Sequence, residues 1–137
     1  ASRVWSLSRF SPTPLHAWRR LVLRMFGAAI GPGAHPYPRV RIFAPWNLRM
    51  GRDSCLANDV DCYSVAEVVL GDGAIVSQKS FLCTASKDYQ DPEFQLVTGK
   101  IELEQNAWIS ADALIGPGVK VGEGAWVGAR AWVTSDV

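Results

Sequence analysis

Residues 103–137 read LEQNAW ISADAL IGPGVK VGEGAW VGARAW VTSDV, a stretch that decides the fold because it repeats every six residues. Each block opens with an aliphatic residue: Leu103, Ile109, Ile115, Val121, Val127 and Val133. Four positions later comes a small or β-branched residue: Ala107, Ala113, Val119, Ala125, Ala131 and Val137. A period of six fits neither the 3.6-residue period of a helix nor the alternation of a strand. It indicates a solenoid, in which each unit packs only on its neighbours.

The same spacing continues upstream. The aliphatic series there is Leu70, Val76 and Leu82, preceded by Met50, Leu56 and Cys62, and Ile30 opens it. The small positions are Ala74, Ser80, Ser54, Val60 and Ala34. Three hexads close one triangular coil if each supplies a short strand and a corner. We therefore predict an all-β solenoid, a parallel β-helix of about five coils over residues 30–137, with the aliphatic residues inside and Gly, Asp or Asn at the corners.

Composition excludes several classes of function. A chain of 137 residues with 48% hydrophobic residues is one folded domain, and its net charge of +1 gives no indication of nucleic-acid binding. Two histidines are too few for a typical metal site, and they argue against a β-helical metalloenzyme of the carbonic anhydrase kind. The three cysteines form no CxxC pair, so we expect reduced thiols and a cytoplasmic protein. We find no secretory signal or membrane-spanning run.

The N-terminal segment, residues 1–29, differs from the repeat. Pro14 to Phe26 (PLHAWRRLVLRMF) predicts a helix that ends at Gly27. One face would carry Leu15, Trp18, Val22 and Met25 or Phe26, with the three arginines elsewhere. We expect this helix to cap the open end of the first coil. A basic amphipathic helix lying on the inner face of a membrane is the alternative.

The repeat is interrupted once, between Leu82 and Leu103. The insertion covers about residues 87–100, KDYQDPEFQLVTGK. A regular solenoid that extends one polar and aromatic loop generally uses it for binding, although a neutral surface insertion is the alternative. We expect Tyr89 and Phe94 to shelter a reactive position at a coil corner.

Several stretches carry a resemblance to a known family. They are WRRLVLRMFGAAIG (18–31), PWNLRMG (45–51), VSQKSFLCTASKDY (76–89) and the hexads of residues 108–136. The sequence resembles the hexapeptide-repeat O-acetyltransferases, in particular the colanic-acid-biosynthesis acetyltransferase group. The resemblance implies a left-handed β-helix, a homotrimer with acetyl-CoA between neighbouring prisms, and no metal. It also implies a sugar or oligosaccharide acceptor, acetylated on a hydroxyl during exopolysaccharide or cell-surface polysaccharide synthesis.

The resemblance also assigns site residues. By position, the CoA arm contacts Ser77, Trp108, Ala111 and Ala129, while Asn58 and Asp88 lie near the sugar. For the two alanines, core packing is an alternative of equal weight, and Trp108 could be an ordinary corner aromatic. The outward hexad positions of Trp126 and Trp132 suggest a subunit interface.

One position departs from the family pattern. A hydroxyl needs a base to take its proton during attack, and relatives use a His after the stretch that is Cys83–Ser86 here; in this chain the next residue is Lys87. A lysine amine is a poor base at neutral pH because its ordinary pKa is about 10.4. Lys87 is thus the catalytic candidate by position. Three interpretations stay open: a working enzyme with an unusual base or anchor, a catalytically impaired paralogue that acts as a binding module, or an altered copy of an ordinary enzyme.

Overall fold

The computed structural model of the chain describes residues 15–87, 90–93 and 95–137. In chain order, their helices are α1 (His16–Met25) and a 3-10 turn (Pro45–Asn47). The strands of the first three coils are β1 (Ala29–Ile30), β2 (His35–Pro36), β3 (Arg41–Ile42), β4 (Leu48–Met50), β5 (Cys55–Leu56), β6 (Asp61–Tyr63), β7 (Val68–Leu70), β8 (Ile75–Val76) and β9 (Phe81–Cys83). The remaining strands are β10 (Ala85–Lys87), β11 (Leu96–Thr98), β12 (Ile101–Leu103), β13 (Trp108–Ile109), β14 (Leu114–Ile115), β15 (Lys120–Val121), β16 (Trp126–Val127) and β17 (Trp132–Val133).

The strands form the three faces of a prism. Face 1 has the order β1-β4-β7-β12-β15, face 2 the order β2-β5-β8-β13-β16, and face 3 the order β3-β6-β9-β14-β17. All pairs within a face are parallel, and each strand pairs with the equivalent strand one coil away. The predicted β-helix of about five coils, with a short N-terminal helix, is confirmed.

The hexad aliphatic residues fill the prism. In two-residue strands such as β5, β8 and β13, the first residue is exposed or half-buried and the second is buried. Leu56, Val76 and Ile109 are completely buried and stack along the prism axis, because their strands pair in register. The small positions, such as Ala74 and Ala107, are also completely buried. This burial of apolar surface is the main stabilising contribution of the repeat.

The corners between faces 1 and 2 show why glycine recurs there. Gly73 has φ +70°, and a Cβ placed on it would lie 2.3 Å from Oδ1 of Asn106 in the next coil. Gly71 lies so close to the following coil that an added Cβ would be 2.7 Å from the Gln105 backbone nitrogen. Both a left-handed backbone and close coil-to-coil contact therefore exclude larger side chains.

Helix α1 caps the first coil, as predicted, but it does so with its arginines. The strands of the first coil, β1, β2 and β3, are edge strands of the three faces. Carbonyls on their outer side have no neighbouring strand to pair with, so they need hydrogen-bond donors from elsewhere. Arg20 Nη1 donates to the Ala34 carbonyl at 2.7 Å, and Arg24 Nη2 donates to the Ile30 carbonyl at 2.8 Å. Completely buried Arg19 donates from Nε to the Pro36 carbonyl. Three guanidinium groups thus satisfy the polar edge of the β-helix.

The polar docking reverses part of the predicted packing of α1. Val22 and Leu23 are buried, whereas Leu15, Trp18 and Met25 keep 47%, 42% and 73% of their surface exposed. The helix begins at His16, so the predicted start at Pro14 lies outside the described residues, and it ends one residue before Phe26. Within the part of the chain that the structure describes, no helix is long and apolar enough to cross a membrane.

The interruption of the repeat contains a β-hairpin. Strands β10 and β11 pair antiparallel, with Ala85 opposite Thr98 and Lys87 opposite Leu96. The excursion therefore leaves the coil at residue 84, about three residues before the predicted limit, and face 1 resumes at Ile101. Every residue of β11 is exposed, so the hairpin extends from the prism surface.

Substitution in the aliphatic stack is expected to destabilise the fold strongly. Leu103→Ala leaves a cavity in a column that cannot collapse without shifting neighbouring coils, so we expect the free energy of unfolding to fall by about 2–5 kcal/mol. Leu96→Ala, on the exposed hairpin strand, is the matched control and should change it by less than about 0.5 kcal/mol. Chemical denaturation followed by circular dichroism measures both, and equal effects would contradict the assigned packing.

A second prediction concerns His16, which joins α1 to face 2. Nη2 of Arg19 donates to Nδ1 of His16 at 2.7 Å, and the His16 ring lies 4.6 Å from the ring of His35 and 5.1 Å from that of Tyr37. Burial lowers the pKa of His16 from 6.5, and the charge of Arg19 lowers it further. His35 and Arg20 also lower this pKa slightly, whereas a hydrogen bond with the Pro36 backbone raises it. As the pH falls below about 6.5, His16 is therefore protonated in the unfolded chain before it is protonated in the folded chain.

We consequently expect His16 to favour the folded state above this pH, and this contribution to be lost as the pH falls through 6.5 towards the lower folded pKa. His16→Gln retains a hydrogen-bond acceptor for Arg19 but cannot titrate. The free energy of unfolding should fall more for the natural chain than for this variant between pH 7.5 and pH 5. A difference between the two that is independent of pH would show that His16 does not couple the cap to protonation.

Candidate functional site

The corner between faces 2 and 3, here called corner 2, collects most of the residues assigned to acetyl-CoA. It comprises residues 37–40, 57–60, 77–80, 110–113 and 128–131 of successive coils. Its backbone forms a continuous ladder: Lys79 N donates to Asn58 O at 3.2 Å, Asp112 N to Gln78 O at 3.0 Å, and Arg130 N to Ala111 O at 3.0 Å. Asn58, Ala111 and Ala129 therefore occupy equivalent positions of their coils.

The alanines of corner 2 are surface residues. Ala111 is half-buried and Ala129 exposed, so the alternative of core packing does not hold for either. Asn58 is half-buried, and its Oδ1 accepts a hydrogen bond from the Arg39 backbone at 3.3 Å. It lines a cavity of about 440 Å³ together with Tyr37 and Gln78. The methyl side chains of Ala111 and Ala129 leave space beside the corner 2 backbone, which an extended ligand can occupy.

Trp108 is held against corner 2 by a hydrogen bond. Its Nε1 donates to Oγ of Ser77 at 3.0 Å, which brings together two of the residues assigned to CoA. Trp126, one coil later, donates from Nε1 to Oγ of Ser110 at 2.6 Å. The two indoles stack with centroids 5.5 Å apart and planes 14° apart, yet 46% and 66% of their surfaces stay exposed. Both indoles are thus fixed in orientation and offer apolar surface to a ligand or a second subunit.

Charges alternate along the third position of corner 2. Arg39 pairs with Asp59 at 3.1 Å and Arg130 with Asp112 at 3.6 Å, and Lys79 lies between the two pairs. Asp59, Lys79, Asp112 and Arg130 all have φ between 58° and 64°, a conformation that places each side chain towards a neighbouring coil. Because both pairs are exposed, they contribute little to stability, and the corner has almost no net charge.

Lys87 lies at another corner, between faces 3 and 1. It is exposed at the end of β10 and lines a cavity of about 360 Å³ with Cys83, Ser86, Leu114 and Trp132. The Cys83 thiol donates to the Ala85 carbonyl at 2.8 Å. The sequence did not place Leu114 of β14 or Trp132 of β17 beside Lys87, although Trp132 was predicted to face outwards. Their outward hexad positions were the available signal, because strands of face 3 lead directly into this corner.

The residues assigned to the site lie in two separate places on one chain. Ser77, Trp108, Ala111 and Ala129 belong to corner 2 and its adjoining face, whereas Lys87 belongs to the opposite end of face 3. Asp88, assigned to the sugar, and the aromatic residues Tyr89 and Phe94 lie outside the described residues. Within one chain, the two groups of assigned residues therefore lie at different corners of the prism.

Two of the cysteines are poor nucleophiles. Burial raises the pKa of Cys55 to about 11, and burial with a smaller effect of Asp61 raises that of Cys62 to about 12. All three thiols are free. Across residues 15–87, 90–93 and 95–137, no group of three or more His, Cys, Asp or Glu could hold a metal ion.

Comparison with known proteins gives two curated sequence relatives of the same name, from Escherichia coli and Shigella flexneri, and many structural ones. No family model matches the chain. It is 38% identical over 110 residues to an Escherichia coli protein provisionally named a colanic acid biosynthesis acetyltransferase. The match covers 80% of this chain and 60% of the relative, so the chain spans about three fifths of that protein's length.

Solved structures share the fold at lower identity. A hexapeptide-repeat acetyltransferase of Vibrio cholerae, complexed with acetyl coenzyme A, superposes with a TM-score of 0.87 at 22% identity, over 99% of this chain and 75% of that one. A maltose O-acetyltransferase of Clostridium difficile gives a TM-score of 0.89 at 20% identity, over 99% of this chain and 74% of that one. At such identities the likeness concerns the fold alone.

The six-residue repeat, the five-coil prism and the 38% identity agree with one another. The chain is thus similar in sequence to the colanic acid biosynthesis acetyltransferases, and it shares its fold with hexapeptide-repeat acetyltransferases of known structure.

Proposed function

We propose that the chain transfers an acetyl group from acetyl-CoA to a sugar hydroxyl in the synthesis of an exopolysaccharide or other cell-surface polysaccharide. The observation that carries the proposal is the exposed column at corner 2, where Trp108 is fixed to Ser77 beside Ala111 and Ala129. The names of the similar proteins support it, since one concerns colanic acid and the other maltose O-acetylation.

The chemistry requires three operations. The acceptor hydroxyl oxygen attacks the thioester carbonyl carbon, a base takes the hydroxyl proton, and CoA leaves as its thiolate and takes up a proton. A donor near the carbonyl oxygen would stabilise the negative charge of the tetrahedral intermediate. Lys87, in its pocket of about 360 Å³, is the candidate for the base or for an anchor of the acetyl-CoA. Asp88 and Asn58 are the candidates for holding the sugar.

A homotrimer is the assembly that we propose. Acetyl-CoA at corner 2 of one copy can meet Lys87 only if a neighbouring copy supplies it, because the two lie at different corners of one prism. The exposed indoles of Trp108 and Trp126 provide apolar surface for such an interface. We place the protein in the cytoplasm, at the inner face of the membrane, with α1 as the contact.

The second candidate function is a binding module that has lost catalysis. It rests on one observation, namely that Lys87 occupies the position at which the family resemblance implies a His. In this case the fold, corner 2 and the sugar site would be retained, while acetyl transfer would be slow or absent. Both proposed functions include ligand binding, but only the enzyme would turn over acetyl-CoA.

Lys87→His separates the two candidates. A histidine has an ordinary pKa near 6.5 and supplies free base at neutral pH, so we expect it to raise the rate of acceptor-dependent CoA release by about 10²–10⁴-fold if catalysis is limited by the base. Release is followed with a thiol reagent and a panel of sugar acceptors. Lys120→His, at an exposed lysine of face 1, is the control and should leave the rate unchanged.

Turnover in the natural chain establishes an enzyme, and turnover only after Lys87→His establishes an impaired paralogue. Absence of turnover in both, in a chain that binds CoA and is folded, contradicts the catalytic proposal.

Trp108→Ala tests the cofactor surface. Removing an indole that packs beside CoA should weaken binding by roughly tenfold, because aromatic contact surface of this kind contributes about 0.5–1.5 kcal/mol beyond area burial. Trp46→Ala, which removes an exposed tryptophan of the 3-10 turn that lines neither corner 2 nor the Lys87 pocket, is the control. The natural chain should gain about 2.7 kcal/mol of stability at a CoA concentration of 100 times Kd. Thermal unfolding is measured with and without CoA for the natural chain and both variants. Equal CoA-induced shifts in all three would show that CoA does not bind at corner 2.

A further inference from the structure

The charges of the chain are divided along its length. Residues 1–52 contain nine arginines and no Asp or Glu, whereas residues 53–137 contain five Lys or Arg and thirteen Asp or Glu. The net charge of +1 therefore conceals a segment of +9 followed by one of −8. Such asymmetry is a physical property of the surface that an overall charge does not show.

A solenoid converts this order in sequence into position in space. Each coil lies directly on the coil before it, from β1 to β15 on face 1. The basic residues of the described part of the segment are consequently confined to α1 and the first two coils, here called the first-coil end. Arg49 and Arg52 are exposed there. Most of the acidic residues occupy the later coils, and three of the thirteen, Asp53, Asp59 and Asp61, lie in the second coil.

Large apolar side chains are exposed at the same end. Leu21, Met25 and Trp46 keep 49%, 73% and 65% of their surface accessible. Trp46 lies against the end of α1, because a Cβ on Gly27 would be 3.0 Å from the Trp46 Cβ. Leu15 and Phe26, 47% and 39% exposed, extend the surface along the helix. A contiguous apolar patch of this kind marks an interaction site.

The way in which α1 docks explains this exposure. Arg20 and Arg24 turn towards the first coil and donate to its carbonyls, so the apolar side of the helix faces outwards. An apolar helix face surrounded by exposed arginines is suited to the interfacial region of a bilayer, where Trp and Met enter the headgroup boundary and cations attract anionic lipids. The opposite end of the prism also exposes tryptophans, but it lies in the acidic segment.

We propose that the first-coil end docks on an anionic lipid surface, with the prism axis upright and the acidic later coils directed away from the membrane. The inference extends the contact proposed for α1 to the first two coils and fixes its direction. It does not depend on acyl transfer, because neither Lys87 nor corner 2 takes part in it.

Vesicle binding of the whole chain tests the proposal. Co-sedimentation is measured with vesicles of phosphatidylcholine alone and with vesicles containing phosphatidylglycerol, at low and high salt. We expect binding to the anionic vesicles only, and release by salt. Arg52→Gln should weaken the apparent affinity roughly fivefold, as expected for one cation near the surface, and Met25→Ser on the order of tenfold, from lost apolar insertion.

Matched controls come from the other end of the prism. Arg130→Gln removes an exposed arginine and Trp132→Ser a large exposed apolar residue, and both should leave vesicle binding unchanged. Circular dichroism verifies the fold of each variant. Equal loss in the controls, equal binding to neutral vesicles, or no vesicle binding overturns the proposal. So does a change of oligomeric state caused by Met25→Ser, which would identify the patch as an interface between copies.

Discussion

Each coil of this protein is held by the coil next to it. The inward aliphatic residues, among them Leu56, Val76 and Ile109, stack along the axis because parallel pairing places each one over its equivalent. The aliphatic residues recur every six positions because each face of a coil takes one strand and one corner. Any other period would turn a core residue outwards. A stack of this kind has two polar edges, and the three arginines of α1 satisfy one of them.

A regular core leaves the corners free to vary, and the distinctive chemistry of the chain is found there. Corner 2 presents small residues and an indole fixed by Ser77, while the corner between faces 3 and 1 expands into the hairpin that carries Lys87. The same regularity separates the charges along the axis. Corner 2, the Lys87 pocket and the basic first-coil end are thus separate features of one column.

Lys87 is the residue that links structure to function most directly. Its pocket combines Cys83 and Ser86 from the chain before it with Leu114 and Trp132 from later coils, so the site is assembled by stacking. Because corner 2 lies at another corner of the prism, the proposed reaction depends on the proposed assembly. Similarity to known proteins accounts for the scaffold, while a lysine at the proposed position of the base is particular to this chain.

Much of the fold followed from the residues themselves. The hexads of residues 103–137 predicted the strands, the buried column and the outward position of Trp126, because each depends only on spacing along the chain. The helix was also predictable, but its docking was not. The sequence showed an apolar face on α1, and only the structure placed Arg20 and Arg24 against unpaired carbonyls of the first coil.

The candidate site likewise combines features predicted from the sequence with features that only the structure showed. Sequence resemblance assigned the candidate site residues, and it identified Lys87 as the departure from the family pattern. Tertiary structure alone decided that Ser77 holds Trp108, that the two alanines lie on the surface, and that Lys87 lies at a different corner with Trp132. The physical reason is that contacts between coils join residues about twenty or more positions apart, and their partners depend on how many residues each corner and insertion contains.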